Sequence, residues 1–133
     1  GLMFVRLLAL RGCRVIAIGR RRPQLDRAEA LGAQVTLSIQ DEKSIVGAVR
    51  HHTNGYGADV VIEAVGKPET WQQSIEMVRR GGVVNFFGGC PADTKVSLDT
   101  QLMHYSEITC TASFHHCPTH VRKALEAVVA GYI

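Results

Sequence analysis

The sequence contains no apolar run approaching the roughly 20 residues that a bilayer span requires, and no basic start leading into a cleavable hydrophobic segment. A membrane partner is therefore not expected, and the default address is cytoplasmic. Cysteines at CxxC spacing are also absent. Cys13, Cys90, Cys110 and Cys117 stand apart among apolar neighbours, which reads as free buried thiols rather than a disulfide framework or a thiolate zinc knot. Neither sign of charge dominates, and an excess of +3 does not argue for nucleic acid as a partner. With no internal repeat and no low-complexity tract, what remains is a 133-residue chain, 46% apolar and 20% charged, with material for one core.

The most informative stretch is Arg14 to Arg22, RVIAIGRRR. Val15 to Ile18 form a small and β-branched run, too short for a stable helix and suited to a parallel strand buried on both faces. The run stops at Gly19, and Arg20, Arg21 and Arg22 follow before Pro23 turns the backbone. In a doubly wound sheet ligands sit at the carboxyl ends of strands, so permanent positive charge falls where the adenosine half of a nucleotide would lie. A solvated basic loop is the alternative.

The rest of the chain alternates around that strand. Leu2 to Arg11 is an apolar helix stopped by Gly12. It arrives without a preceding strand, and Gly1 stands where an initiator methionine is expected, so the sequence looks like an excerpt from a longer chain. Leu25, Ala28 and Leu31 mark a short helix closed by Gly32, and Gln34 to Ser38 reads as a brief strand. Asp41 is placed as the N-cap of a helix carrying Ile45, Val46 and Val49, broken by Asn54 to Gly57. Asp59 to Val65 reads as a second buried strand. Lys67-Pro68-Glu69-Thr70 opens a helix with Trp71, Ile75 and Val78 inside and Gly81-Gly82 at its end. Val83 to Phe87 is strand-like and halted by Gly88-Gly89. A polar connection through Pro91, Asp93 and Lys95 then leads to a strand from Ile108 to Phe114 and a last helix from about Pro118 to Ala130. Such alternation specifies an α/β fold, a parallel sheet with right-handed crossovers.

Five segments in this order carry a family resemblance: the GLM-led helix, LGA at Leu31 to Ala33, GADVVIEAVG at Gly57 to Gly66, RRGGVVNFFGG at Arg79 to Gly89, and SFHHCP at Ser113 to Pro118. Together they resemble the cofactor-binding domain of the zinc-type medium-chain alcohol and polyol dehydrogenases. The resemblance implies a Rossmann fold, a doubly wound parallel sheet incomplete at its N-terminus, with residues 1–133 a dinucleotide-binding domain cut from a longer two-domain chain. On it Gly1 is the third glycine of the GxGxxG turn, and the first strand and the zinc-bearing catalytic domain lie outside the sequence. The strands at Val15 to Ile18 and Asp59 to Val65 are then expected not to pair with each other directly. The Ile108 to Phe114 strand is expected at a sheet edge, where similar dehydrogenases pair across a two-fold axis.

The same resemblance assigns the candidate cofactor contacts. Gly1 lets the first helix pack closely while its amides face a pyrophosphate. Val65, Gly66, Gly88 and Gly89 end strands where a nicotinamide ring needs close backbone approach. Ala112, Ser113 and Phe114 match the family's last strand, where backbone groups hold the carboxamide, and Lys67 takes a position near adenine or ribose phosphate. NAD-using relatives place a carboxylate where Gly19 stands. Its absence, with Arg20 and Arg21 offering forked donors to a 2′-phosphate and Arg22 an outer contributor, favours NADP over NAD, which remains the alternative.

No catalytic residue and no metal ligand is assigned within the chain. His115, His116, Cys117 and His120 have metal-binding chemistry, but neighbours in a strand point to opposite faces and a closed site needs four convergent ligands. Glu63, inside an apolar strand, takes a position that the family fills with an acid or polar residue for structural reasons. The expected function is the cofactor half of an oxidoreductase, passing hydride between a small alcohol or polyol and the nicotinamide, with zinc in the missing domain and the isolated piece inactive. The partners are a nicotinamide dinucleotide and further copies of the chain, as a homodimer or homotetramer. Two other readings stand beside this one: a dinucleotide-sensing regulatory module without chemistry, and another Rossmann-like enzyme such as a methyltransferase, which would want an acidic residue where Gly19 stands.

Overall fold

A computed structural model describes residues Gly1–Ile133. Its contacts gather into two units, one of Gly1–Lys43 with His115–Ile133 and one of Ser44–Phe114. Both units are α/β, and every strand pairing in them is parallel. No helix is long and apolar enough to cross a membrane.

In the first unit α1 (Leu2–Leu10) precedes β1 (Ile16–Gly19), α2 (Arg22–Ala30) and β2 (Val35–Ser38). The leucines and valine of α1 recur at helical spacing and turn Val5 inward, where it joins Val15, Ala28 and Ala33 in a buried cluster. Both helices stop at a glycine, as expected. After α2, Gly32 takes φ +108° and lets the Gly32 and Ala33 amides return to the carbonyls of Glu29 and Ala28, both at 2.9 Å. A Cβ at Gly32 would stand 2.7 Å from that of Ala9, so the stop also permits the close approach of α1. β1 then runs in register with β2, Ile16 opposite Val35 and Gly19 opposite Ser38. The chain re-enters this unit through α6 (Pro118–Val129), which has Pro118 in its first turn and no buried residue.

The second unit contains α3 (Ile45–His52), β3 (Ala58–Glu63), α4 (Pro68–Met77), β4 (Val78–Phe86), α5 (Thr100–Tyr105) and β5 (Thr109–Ala112). Its sheet has the order β3-β4-β5. Helix α4 lays Ile75 against Val84 and Phe86 of β4, all under 10% exposed, and full burial of such side chains contributes about 1.5–3 kcal/mol each. The two strands expected not to pair with each other do not: β1 ladders with β2 and β3 with β4. β5 is the sheet edge, as expected, and all four of its residues are exposed.

Several local expectations are corrected. The α3 N-cap is Ser44, whose extended backbone lets Oγ accept from the Gly47 amide at 3.1 Å; Asp41 sits in a turn, its amide bonded to the Ser38 carbonyl. Gly81-Gly82 do not end α4. That helix stops at Met77 because Val78 is already extended, and the two glycines lie inside β4, where residues 79–82 bulge between the pairs Ala58–Val78 and Val60–Val83. A Cβ on Gly82 would press against the carbonyls of Arg79 and Asp59, each at 2.9 Å. Helix α5 replaces part of the expected polar connection, capped by Asp99, whose carboxylate accepts from the Leu102 amide at 2.9 Å. The four cysteines are free but not buried. Cys13, Cys110 and Cys117 are exposed and Cys90 is intermediate; Cys110 is on the edge strand β5, and the other three lie outside the strands, where apolar neighbours in sequence do not enclose them.

Candidate functional site

Strand β3 does not run on to Val65, and the reason is Glu63. It is 3% exposed, and its Oε1 accepts from the Val65 amide at 2.8 Å, the Gly66 amide at 3.0 Å and the Thr70 hydroxyl at 2.7 Å. Oε2 accepts again from Gly66 at 3.2 Å. The carboxylate thus draws two amides off the ladder and satisfies its own desolvated oxygens with them. The Glu63 carbonyl takes the amides of Phe87 at 2.9 Å and Gly88 at 2.8 Å. One residue therefore fixes both the chain leaving β3 and the chain leaving β4.

The glycines here are required by space as well as by angle. Gly66 has φ +78°, and a Cβ on it would run into the Gly89 carbonyl oxygen. A Cβ on Gly88 would stand 2.5 Å from Glu63 Oε2 and 2.5 Å from the Gly66 nitrogen. Gly89, by contrast, has nothing within 4 Å of a Cβ and is open to a neighbour. Trp71 closes the back of the turn, its indole donating to the Gly88 carbonyl at 2.9 Å and stacking on Phe86 at 3.9 Å between centroids. Beside Gly89 is a cavity of about 330 Å³ walled by Trp71, Cys90, Thr94 and Leu98.

Lys67 is the N-cap residue of α4, and its amide donates to Thr70 Oγ1 at 3.3 Å. Across the sheet Glu63 pairs with Phe86 and Phe86 with Ala112. Ser113, one step on, donates its amide to the Phe86 carbonyl at 3.3 Å and accepts from the Asn85 side chain at 3.0 Å. So Val65, Gly66, Lys67, Gly88, Gly89, Ala112, Ser113 and Phe114 gather at the carboxyl ends of β3, β4 and β5. Val65 is 63% exposed and Phe114 90%, leaving an apolar, glycine-edged rim suited to a flat ring.

The remaining candidates are in the first unit. Gly1 is the N-cap of α1 and makes no side-chain cap. Gly19 is the last residue of β1. Arg20 and Arg21 follow, both exposed and neither in an ion pair. Arg21 is the N-cap of α2. Arg22, the expected outer phosphate contact, is the first helical residue and pairs with Asp26 at 3.0 Å, one turn on.

His115, His116, Cys117 and His120 are all exposed, and no three side chains of metal-ligating type converge in the chain. Burial pushes the Cys110 thiol up from its ordinary 9.0. The residues that sequence reasoning did not connect are Thr70 and Trp71. Their signal was present in spacing, because positions seven and eight after a strand-ending acid fall on the first turn of the next helix, back over the strand ends.

Comparison with known proteins gives a consistent result. A family model described as zinc-binding dehydrogenase matches residues 1–130. Alcohol dehydrogenase 2 of Caenorhabditis elegans is 30% identical over 122 residues, 92% of this chain. Sorbitol dehydrogenase of Bacillus subtilis (strain 168) is 27% identical over 134 residues, the whole of this chain. The chain spans about a third of these relatives, 34% and 37% of their lengths. Among solved structures, a zinc-binding dehydrogenase from Sinorhizobium meliloti 1021 bound to NADP superposes with a TM-score of 0.89 at 30% identity, covering 99% of this chain and 39% of that one. The parallel strands with alternating helices are thus those of a Rossmann-like fold.

Proposed function

Because the chain belongs to the zinc-binding dehydrogenase family, as a cofactor-binding domain of its zinc-type medium-chain alcohol dehydrogenases, we propose that residues 1–133 hold NADP for an enzyme that oxidises or reduces a small alcohol or polyol. The nicotinamide, when bound, supplies the hydride acceptor or donor, and zinc held in a separate catalytic domain polarises the alcohol oxygen. The residues of this chain bind and orient the cofactor. In the second unit Val65, Gly66, Gly88, Gly89, Ala112, Ser113 and Phe114 receive the nicotinamide end: Gly89 is open, the adjoining cavity can admit a ring, and the strand-end backbone offers polar groups at its border. In the first unit Gly1 leaves helix amides available to phosphate. Lys67 contributes a positive charge toward the adenosine ribose phosphate. The proposal extends to a homodimer or homotetramer built on the exposed edge of β5.

The observation that carries the choice of NADP is the pair of exposed, unpaired guanidiniums directly after Gly19, where no carboxylate stands to repel a 2′-phosphate. A charge-assisted hydrogen bond contributes about 1.5–3 kcal/mol, discounted here for exposure to about 1–2 kcal/mol each. The full-length protein is then expected to bind NADPH about 30-fold to 1,000-fold more tightly than NADH. Arg20→Ala and Arg21→Ala are each expected to remove about fivefold to 30-fold of that preference by calorimetry, leaving NADH affinity unchanged. Equal affinities that ignore both substitutions overturn the reading.

A further inference from the structure

We propose that Glu63 is a positioning residue that sets the affinity for the nicotinamide half of the cofactor, an inference that rests on the cofactor reading above. Outside the β5 end, the candidate ring contacts lie on two chain segments, Val65–Gly66 and Gly88–Gly89, that no ladder joins. Glu63 is bonded to both, through its side chain to one and through its backbone carbonyl to the other. Its carboxylate takes the Val65 and Gly66 amides, and its carbonyl takes those of Phe87 and Gly88. Thr70 locks the carboxylate from the helix side at 2.7 Å. Gly88 fits so closely that even a Cβ there would meet Glu63 Oε2 at 2.5 Å, so the spacing of the two segments follows the position of the carboxylate.

The buried carboxylate faces amide and hydroxyl donors throughout. No lysine or arginine is paired with it, so its oxygens are held by dipoles alone. Without it, the Val65 and Gly66 amides would seek other acceptors and the glycine turn would open, while the residues contacting the adenosine end in the other unit would keep their places. Binding geometry tightens or loosens with such supporting groups even when they never touch the ligand. Glutamine at the same position keeps Oε1 and its three donors but replaces Oε2, and should retain most of the effect.

Calorimetry on the full-length protein with two probes, NADPH and adenosine 2′,5′-bisphosphate, separates this from a general loss of fold. Glu63→Ala is expected to weaken NADPH about tenfold or more, the equivalent of one lost buried hydrogen bond or more. Binding of the bisphosphate should stay within about twofold, and Glu63→Gln should restore NADPH to within about threefold of wild type. Unchanged NADPH binding by Glu63→Ala, or an equal loss of both probes, overturns the inference while leaving the cofactor reading intact. Wild-type protein that binds neither probe overturns the cofactor reading and this inference with it. Should Glu63→Ala fail to fold, Thr70→Val removes the hydroxyl bridge to Glu63 together with the acceptor of the Lys67 amide and leaves the carboxylate in place; a selective NADPH loss of about threefold supports the inference and equal binding of both probes overturns it.

Discussion

The turn after β1 and the turn after β3 both leave a parallel strand close to a glycine, but they are held in opposite ways. After β1 the chain passes Gly19 into Arg20 and Arg21, which are exposed and unpaired, and only the N-terminus of α2 sets their direction. After β3 the chain is gripped from within by a carboxylate that is 3% exposed and by a second turn pressed against it. A charge-reading site can tolerate mobile side chains, since a guanidinium reaches a phosphate from several rotamers. A ring-holding surface cannot, because backbone contact is lost with small displacements. The first turn should therefore respond to charge and salt, the second to volume and to buried hydrogen bonds.

The strongest test of that contrast is steric. Gly88→Ala is expected to destabilise the protein by about 3 kcal/mol, since the atoms a methyl would strike are backbone nitrogens and a buried carboxylate that cannot move aside. Gly89→Ala, one residue on with nothing within 4 Å, is expected to change stability by less than about 0.5 kcal/mol. Thermal unfolding of the pair checks both, and equal effects would break the picture of a tight second turn beside an open edge.

A smaller effect is expected from salt. Raising ionic strength from about 0.1 M to about 1 M shortens the Debye length from about 10 Å to about 3 Å and should weaken adenosine 2′,5′-bisphosphate binding about tenfold. The ratio of NADPH to bisphosphate affinity should hold, because the candidate ring contacts, Val65, Gly66, Gly88, Gly89, Ala112, Ser113 and Phe114, carry no charge. A ratio that collapses with salt would show that the second turn also works by charge.

The smallest effect concerns the rim of the same sheet. Cys110 lies on β5, exposed as a residue, yet burial raises its thiol above 9.0. The folded chain thus holds this proton more tightly than the unfolded one. Its stabilising contribution is complete below pH 9.0 and is lost as the pH rises through the folded-state value. Alkylation of Cys110 near pH 9 should accordingly lag in the folded protein behind the same thiol in urea. Equal rates would mean that the shielding around β5 is absent in solution.

Much of this architecture is legible in the sequence, because the signals are local. Val15 to Ile18 is too short a run for a helix and leads into β1, half-buried where burial on both faces was expected, Gly12 and Gly32 close their helices through positive φ, and Pro68 and Pro118 open theirs. The misreadings fall where two local signals compete. Asp41 and Ser44 are both capable caps, and only the fold of the preceding turn, tied to Ser38, decides between them. Gly81-Gly82 look like a helix stop, but pairing of Val78 with Ala58 draws them into a strand as a bulge. Helix α5, with six residues, is too short for periodicity to reveal.

By itself the sequence determined the alternation of strands and helices, the family pattern, and the presence of arginines in place of an acid after the first strand. Each depends on a residue's own conformational preference or on its identity at a fixed spacing. Only the tertiary structure decided what Glu63 does and why Gly88 must be glycine. The physical reason is that hydrogen bonds and close packing join residues from different strands and helices, and which donors reach a buried carboxylate depends on register, crossover and burial together.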